Sequence, residues 1–240
     1  MKTIRTHILN ARTGGAIALA AVIASCGGSA YAGNLDIVDG NVKVTFDESQ
    51  KTARFEHKGK LVLSGAYTTA ILADDTPVDS RNYPSVSMNK AAVNDGYGNG
   101  IVYTYTYTGA TPQIEQKIYV YPDLDYFLVE ATLSGDKAAA HQICPIVSQT
   151  STTLPLPTSS NTIYDMPFAN DNWATFATVR WSTGQPVTSC EATALFNVAS
   201  REGIVIGSVE HSVWKSYVTV TPNSNKRVRR LVANDGYVSQ

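Results

Sequence analysis

Two stretches of the chain gather the residue types that sugar chemistry uses. One is residues 166–173 (MPFANDNW), continuing to Trp181; the other is residues 200–211 (SREGIVIGSVEH), followed by Trp214. All three tryptophans fall in or beside these stretches, next to Asn, Asp, Glu and His. The apolar C–H faces of a pyranose stack on aromatic rings, and its hydroxyls need amides and carboxylates that donate or accept. Asp171, Trp173, Glu210, His211 and Trp214 are therefore the candidate carbohydrate-binding residues. The competing expectation is that a tryptophan of a β protein fills core. Asp171 and Glu210 also invite a two-carboxylate hydrolase, which needs a separation that sequence does not set. Loop carboxylates are usually just solvated, so no catalytic residue is assigned.

Other chemistries find less support. His7, His57, His141 and His211 have no HxH or HxxxH spacing, so neither a metal nor a cofactor is expected. There is no GxSxG elbow, and Gly96, Gly98 and Gly100 precede a strand rather than a helix, which makes them turn residues rather than a phosphate cradle. Only 16% of residues are charged and the net charge is −1, so nothing global favours a nucleic-acid partner. The local cluster Lys226, Arg227, Arg229 and Arg230 reads as a solvated strand end or turn.

Residues 1–33 differ in kind from the rest. Lys2, Arg5 and Arg12 form a positive n-region, and residues 16–24 (AIALAAVIA) are an apolar run too short to span a bilayer. This is the pattern of a secretory signal peptide. Two processing sites compete. Residues 23–28 (IASCGG) read as a lipobox that would lipidate Cys26, while Ala30-Tyr31-Ala32 reads as an ordinary site cleaved after Ala32. A cysteine standing where lipidation requires one favours the first. Either route exports the chain, to the bacterial cell envelope as a lipoprotein or to the periplasm or medium, and a lipid anchor is the only membrane contact expected. Cys144 and Cys190 then remain in an oxidising compartment, as separate buried thiols or as one disulfide.

What must position the candidate residues is a set of strands. From residue 34 onward, short runs rich in Val, Ile, Tyr, Phe and Thr are punctuated by Gly, Pro, Asn and Asp. Residues 42–46 and 53–57 alternate, and Lys58-Gly59 links the second run to residues 61–63 as a hairpin. Residues 101–108 (IVYTYTYT) put tyrosines on one face and threonines on the other. Further strands are expected at 114–121, 126–133, 143–148, 175–180, 191–196, 204–209 and 217–221. The fold class is all-β, a large antiparallel β-sandwich over residues 34–240. The Ser/Thr/Pro-rich residues 150–162 are taken as a long loop crossing it, with a two-domain split as the minor alternative. The C-terminal residues 231–240 carry no recognisable terminating element, compatible with a domain cut from a longer protein.

Residues 168–173 (FANDNW), residues 199–215 (ASREGIVIGSVEHSVWK) and residues 119–133 (YVYPDLDYFLVEATL) are similar to strands and turns of the N-terminal β-supersandwich of exported bacterial α-glycosidases. The group resembled is the α-galactosidases of the melibiase and raffinose-synthase type, and the resemblance spans roughly residues 34–220. It implies a galactose-mutarotase-like supersandwich, a galactoside-containing glycan as ligand, and packing against a catalytic barrel domain. In that family the catalytic carboxylates belong to the barrel, which this chain ends too soon to contain, so none carries over. Two alternatives stand beside this: a self-standing surface lipoprotein that binds glycan or protein, and a small sugar epimerase or lyase. The last requires His57, His141 or His211 to meet a carboxylate in one cleft.

Overall fold

The computed structural model describes residues 3–9, 30–31, 35–149, 156, 161–167, 177–180, 185–209, 215–222 and 228–236, with the backbone alone for 3–9, 30–31, 179–180 and 228–236. Alternating β-branched, aromatic and polar residues suit a pleated surface buried on one side, and strands form wherever that alternation persists. In chain order the first are β1 (Thr3–Leu9), β2 (Ala30–Tyr31), β3 (Ile37–Asp39), β4 (Val42–Asp47), β5 (Thr52–His57), β6 (Lys60–Leu72) and β7 (Pro77–Asp79). Next come β8 (Ser85–Asp95), β9 (Gly98–Thr108), β10 (Gln113–Val120), β11 (Tyr126–Ser134) and β12 (Ala140–Ser148). The last are β13 (Asn161–Asp165), β14 (Ala177–Arg180), β15 (Val187–Cys190), β16 (Ala192–Asn197), β17 (Glu202–Ser208), β18 (Ser216–Pro222) and β19 (Val228–Gly236).

These strands make two antiparallel sheets. A ten-stranded sheet has the order β14-β13-β16-β17-β1-β11-β10-β9-β8-β2, and a nine-stranded sheet has β15-β18-β19-β12-β6-β5-β4-β3 with β7 beside β6. The sheets face each other across one apolar core. Phe55 of β5 stacks on Phe127 of β11 at 5.1 Å, and Phe46 of β4 stacks on Tyr105 of β9 at 5.2 Å. Each pair has one ring from either sheet, which is the expected sandwich. Strands on both sides of residues 150–162 share these sheets, as β12 pairing β19 demonstrates, and Leu156 packs against the core.

The expected alternation of β9 holds. Tyr103, Tyr105 and Tyr107 point inward and are buried, while Thr104, Thr106 and Thr108 lie on the other face. Their hydroxyls are not abandoned in the core: Tyr105 donates to Leu35 O, and Tyr103 to Asp39 Oδ2 at 3.1 Å. Burial and the Asp39 carboxylate push the Tyr103 phenol up to about 12. Lys58 and Gly59 both have positive φ (49° and 71°), the left-handed pair that a two-residue hairpin between β5 and β6 needs. Cys144 on β12 and Cys190 on β15 are separate buried thiols. Two strands stand between theirs, so at about 4.8 Å per step they are about 14 Å apart, beyond the reach of a disulfide.

β12 carries a proline in mid-strand. Pro145 cannot donate to a ladder, and the register of β12 shifts there against both neighbours, between Ile143 and Ile146 toward β19 and between Cys144 and Val147 toward β6. The displaced Pro145 carbonyl instead accepts from Thr68 Oγ1 of its own sheet at 3.0 Å and from Gln116 Nε2 of the opposite sheet at 2.9 Å. Gln116→Ala should lower stability by about 1–3 kcal/mol in urea unfolding. Gln116→Met, which keeps the volume without the donor, should recover only part of that loss.

His57 closes β5 with its ring buried, 2% exposed, and neither nitrogen has a hydrogen-bond partner among the described residues. Burial first, then the Lys58 charge, lower its pKa below 6.5. The unfolded chain thus binds the proton more readily, and stability is complete above pH 6.5 and lost as pH falls through the window below it. Unfolding midpoints measured from pH 7.5 to 5 should decline in the wild type and decline less in His57→Leu.

Candidate functional site

The five candidate carbohydrate-binding residues, Asp171, Trp173, Glu210, His211 and Trp214, lie outside the described residues, as do Trp181 and Cys26. The strands that flank them are described and share one end of the ten-stranded sheet. β13 ends at Asp165 opposite Ala177, where β14 begins, and β17 runs toward its end with Gly207 opposite Ala192, where β16 begins. Backbone bonds from Cys190 N to Met166 O (2.7 Å) and from Ser208 N to Glu191 O (2.8 Å) tie this end together. The chain therefore leaves β13 and β17 at the same end of the sheet.

The opposite end of that sheet carries an aromatic group that sequence spacing did not reveal. Tyr97 sits in the turn between β8 and β9, Tyr121 just past β10 and Tyr126 at the start of β11. The Tyr97 ring is 5.7 Å from that of Tyr121, tilted by 45°, and 6.4 Å from that of Tyr126, edge-on at 83°. Tyr121 is buried, while Tyr97 and Tyr126 are half-buried at the surface. Together with Tyr119 and Leu128 they pack on the outer face of the sheet, separate from the core between the sheets. Two separate turns, β8–β9 and β10–β11, meet here, which is why no local motif signals the cluster.

Asp95 holds the group in place. Its Oδ1 accepts from Tyr97 N at 2.9 Å and its Oδ2 from the Tyr121 hydroxyl at 2.7 Å, so one carboxylate fixes both the turn and a ring. Burial, with Tyr97 and Asp95 adding, raises the Tyr126 phenol above 10. Gly100 makes room: a Cβ there would lie 2.6 Å from Tyr121 Cδ1 and 2.6 Å from Val120 O. Deeper in, Glu130 is 1% exposed, and it accepts from the Tyr119 hydroxyl at 2.9 Å and from Lys117 Nζ at 3.3 Å. A buried carboxylate is tolerable only with such partners.

Across the same end, Lys58 pairs with Asp125, and Lys60 with Glu202 at 3.1 Å, joining turns of the two sheets. The chemistry on offer is recognition. Half-buried rings, polar groups at the rim and a structural carboxylate suit an amphipathic ligand with both C–H faces and hydroxyls. Of the histidines that an epimerase or lyase would require, His211 lies outside the described residues and the other two are at opposite ends of β6. His57 lies at the β5–β6 turn, whereas His141 pairs at 3.6 Å with exposed Asp75 near the far end of β6, a strand of 13 residues. Nor do three or more His, Cys, Asp or Glu gather as a metal site among the described residues.

No model of a known protein family matches the chain, and no curated protein matches it. The aromatic cluster can be tested by itself. Gly100→Ala should cost about 1–3 kcal/mol through overpacking against Tyr121. It should also alter the near-ultraviolet circular dichroism of the tyrosines while far-ultraviolet strand signal persists.

Proposed function

We propose that the chain is an exported, carbohydrate-associated β-sandwich, corresponding to the non-catalytic N-terminal part of an α-galactosidase-like glycoside hydrolase. The observation that carries the binding reading is the outer-face group of Tyr97, Tyr121 and Tyr126 braced by Asp95. Half-buried tyrosine rings offer flat apolar area at small entropic cost, the property that pyranose stacking uses. The leader-like residues 1–33, with Cys26 or Ala32 as processing point, support export. The sugar class, a galactoside-containing glycan, follows from the family resemblance. So does a second surface, in which the loops near Asp171–Trp173 and Glu210–Trp214 would edge a sugar site or meet a catalytic barrel.

Glycan-array binding and calorimetry with galactosides test this on the purified chain, with Tyr97→Ala, Tyr126→Ala, Trp173→Ala and Trp214→Ala alongside. Loss of one stacking ring should weaken binding about three- to tenfold, equivalent to about 0.5–1.5 kcal/mol. Turnover of nitrophenyl glycosides should be absent. A folded chain that binds no glycan would overturn the proposal. Binding weakened only by the tryptophan variants would move the site to the loops that carry them.

A further inference from the structure

Thr3–Leu9 occupies an unusual position for a segment that reads as the front of an export leader. β1 lies in the interior of the ten-stranded sheet, paired with β11 over all seven residues and with β17 over Thr6–Leu9. Both flanks are antiparallel to β1 and hence parallel to each other. If β1 is taken away, β11 and β17 stand about 10 Å apart, one strand too far to bond. Two rows of backbone donors and acceptors then face an empty gap, the most adhesive edge a sheet can present.

The gap has a readable chemistry. By register, Ile4, Thr6 and Ile8 stand opposite Ala131, Val129 and Phe127, whose side chains belong to the core, and Ile8 also stands opposite Ile206. Positions 3, 5, 7 and 9 stand opposite Thr132, Glu130, Leu128 and Tyr126. Position 5, an arginine, is therefore in the same cross-strand row as buried Glu130 and Lys117. A strand that fits needs apolar or small residues at every second position and a cation opposite Glu130.

We propose that the gap between β11 and β17 is a strand-acceptor site. Export removes Thr3–Leu9, which fills the gap in the full chain, and opens it to an extended strand of a partner polypeptide. That strand runs antiparallel to both flanks, alternates as Thr3–Leu9 does, and carries a cation opposite Glu130. Backbone ladders on both sides supply the affinity, and the alternate positions supply the selection. The inference rests on the export part of the proposed function and not on its glycan part.

The test uses the chain recovered from the cell envelope, whose intact mass reports whether the leader is gone, beside the full-length chain. The probe is a fluorescein-labelled peptide of sequence TIRTHIL. The processed chain should bind it and the full-length chain should not. The peptide with Arg5→Glu should bind at least tenfold more weakly, and a scrambled peptide without the alternation should not bind. A processed chain that keeps its strand circular dichroism yet ignores the peptide, or takes the scrambled one equally, overturns the proposal. So does a processed chain that light scattering finds to be a dimer with no peptide binding, since a second copy then fills the gap. If the processed chain is unfolded alone, recovery of strand signal on adding the peptide supports the site and failure to recover overturns it. Should the mass instead reveal residues 3–9 retained, the export reading fails by itself. A protease site inserted after Ala24 and cut after folding then decides the acceptor, which stands if labelled peptide exchanges in and falls if it does not.

Discussion

The Pro145 carbonyl is the constraint on which the two sheets' mutual position depends. A proline inside a central strand must leave one ladder position without a donor, and β12 answers with a register shift toward both β6 and β19. The shift frees a carbonyl that has no ladder partner and is buried, so it must find donors in the interior. Thr68 supplies one from the same sheet, and Gln116 supplies the other from across the core. Hydrophobic contact alone is non-directional and lets facing sheets slide. A hydrogen bond between them sets which residue of β10 lies over which residue of β12. The stacked pairs Phe55–Phe127 and Phe46–Tyr105 then fall into place on the same side of the core.

That alignment carries through to the outer face. β11 is buried at every position from Phe127 to Leu133, so its odd residues build the core while Leu128, Glu130 and Thr132 build a second layer. Tyr119, Tyr121 and Leu128 anchor this layer, and Tyr97 and Tyr126 form its surface. The aromatic group and the row that pairs with β1 therefore share β11. Tyr126 and Leu128 contribute to the aromatic group and also stand in the register of β1. The strand that lies beside β11 is therefore next to the tyrosines.

Much of this fold was legible in the sequence because period-two alternation is a local signal. Residues 101–108 and the Lys58-Gly59 turn appear as read. The strands that were missed lacked that signal. β8 carries Ser, Asn, Lys and Ala and is only partly buried, so its apolar pattern is thin. β6 runs to 13 residues through Gly65, where only residues 61–63 had stood out. Arg229 and Arg230 stand at the start of β19, in keeping with a cationic strand end, but the rest of β19 fell in last residues that show no clear pattern. Thr3–Leu9 was hidden differently, since a positive n-region and an alternating strand are the same letters seen by two machineries. The aromatic group was illegible because Tyr97, Tyr121 and Tyr126 meet only once the β8–β9 and β10–β11 turns come together. Tryptophan density drew attention instead to stretches that lie outside the described residues.

The distance between Cys144 and Cys190 has a consequence for how the molecule is made. Two buried thiols three strand-steps apart give an oxidase nothing to join, and burial raises the Cys190 thiol further from its reactive thiolate. Pairing of these two thiols is thus no part of folding, whatever the redox potential around them. The strands that carry Cys144 and Cys190 close alike in a reducing or an oxidising compartment, so an oxidant is no part of how they are assembled.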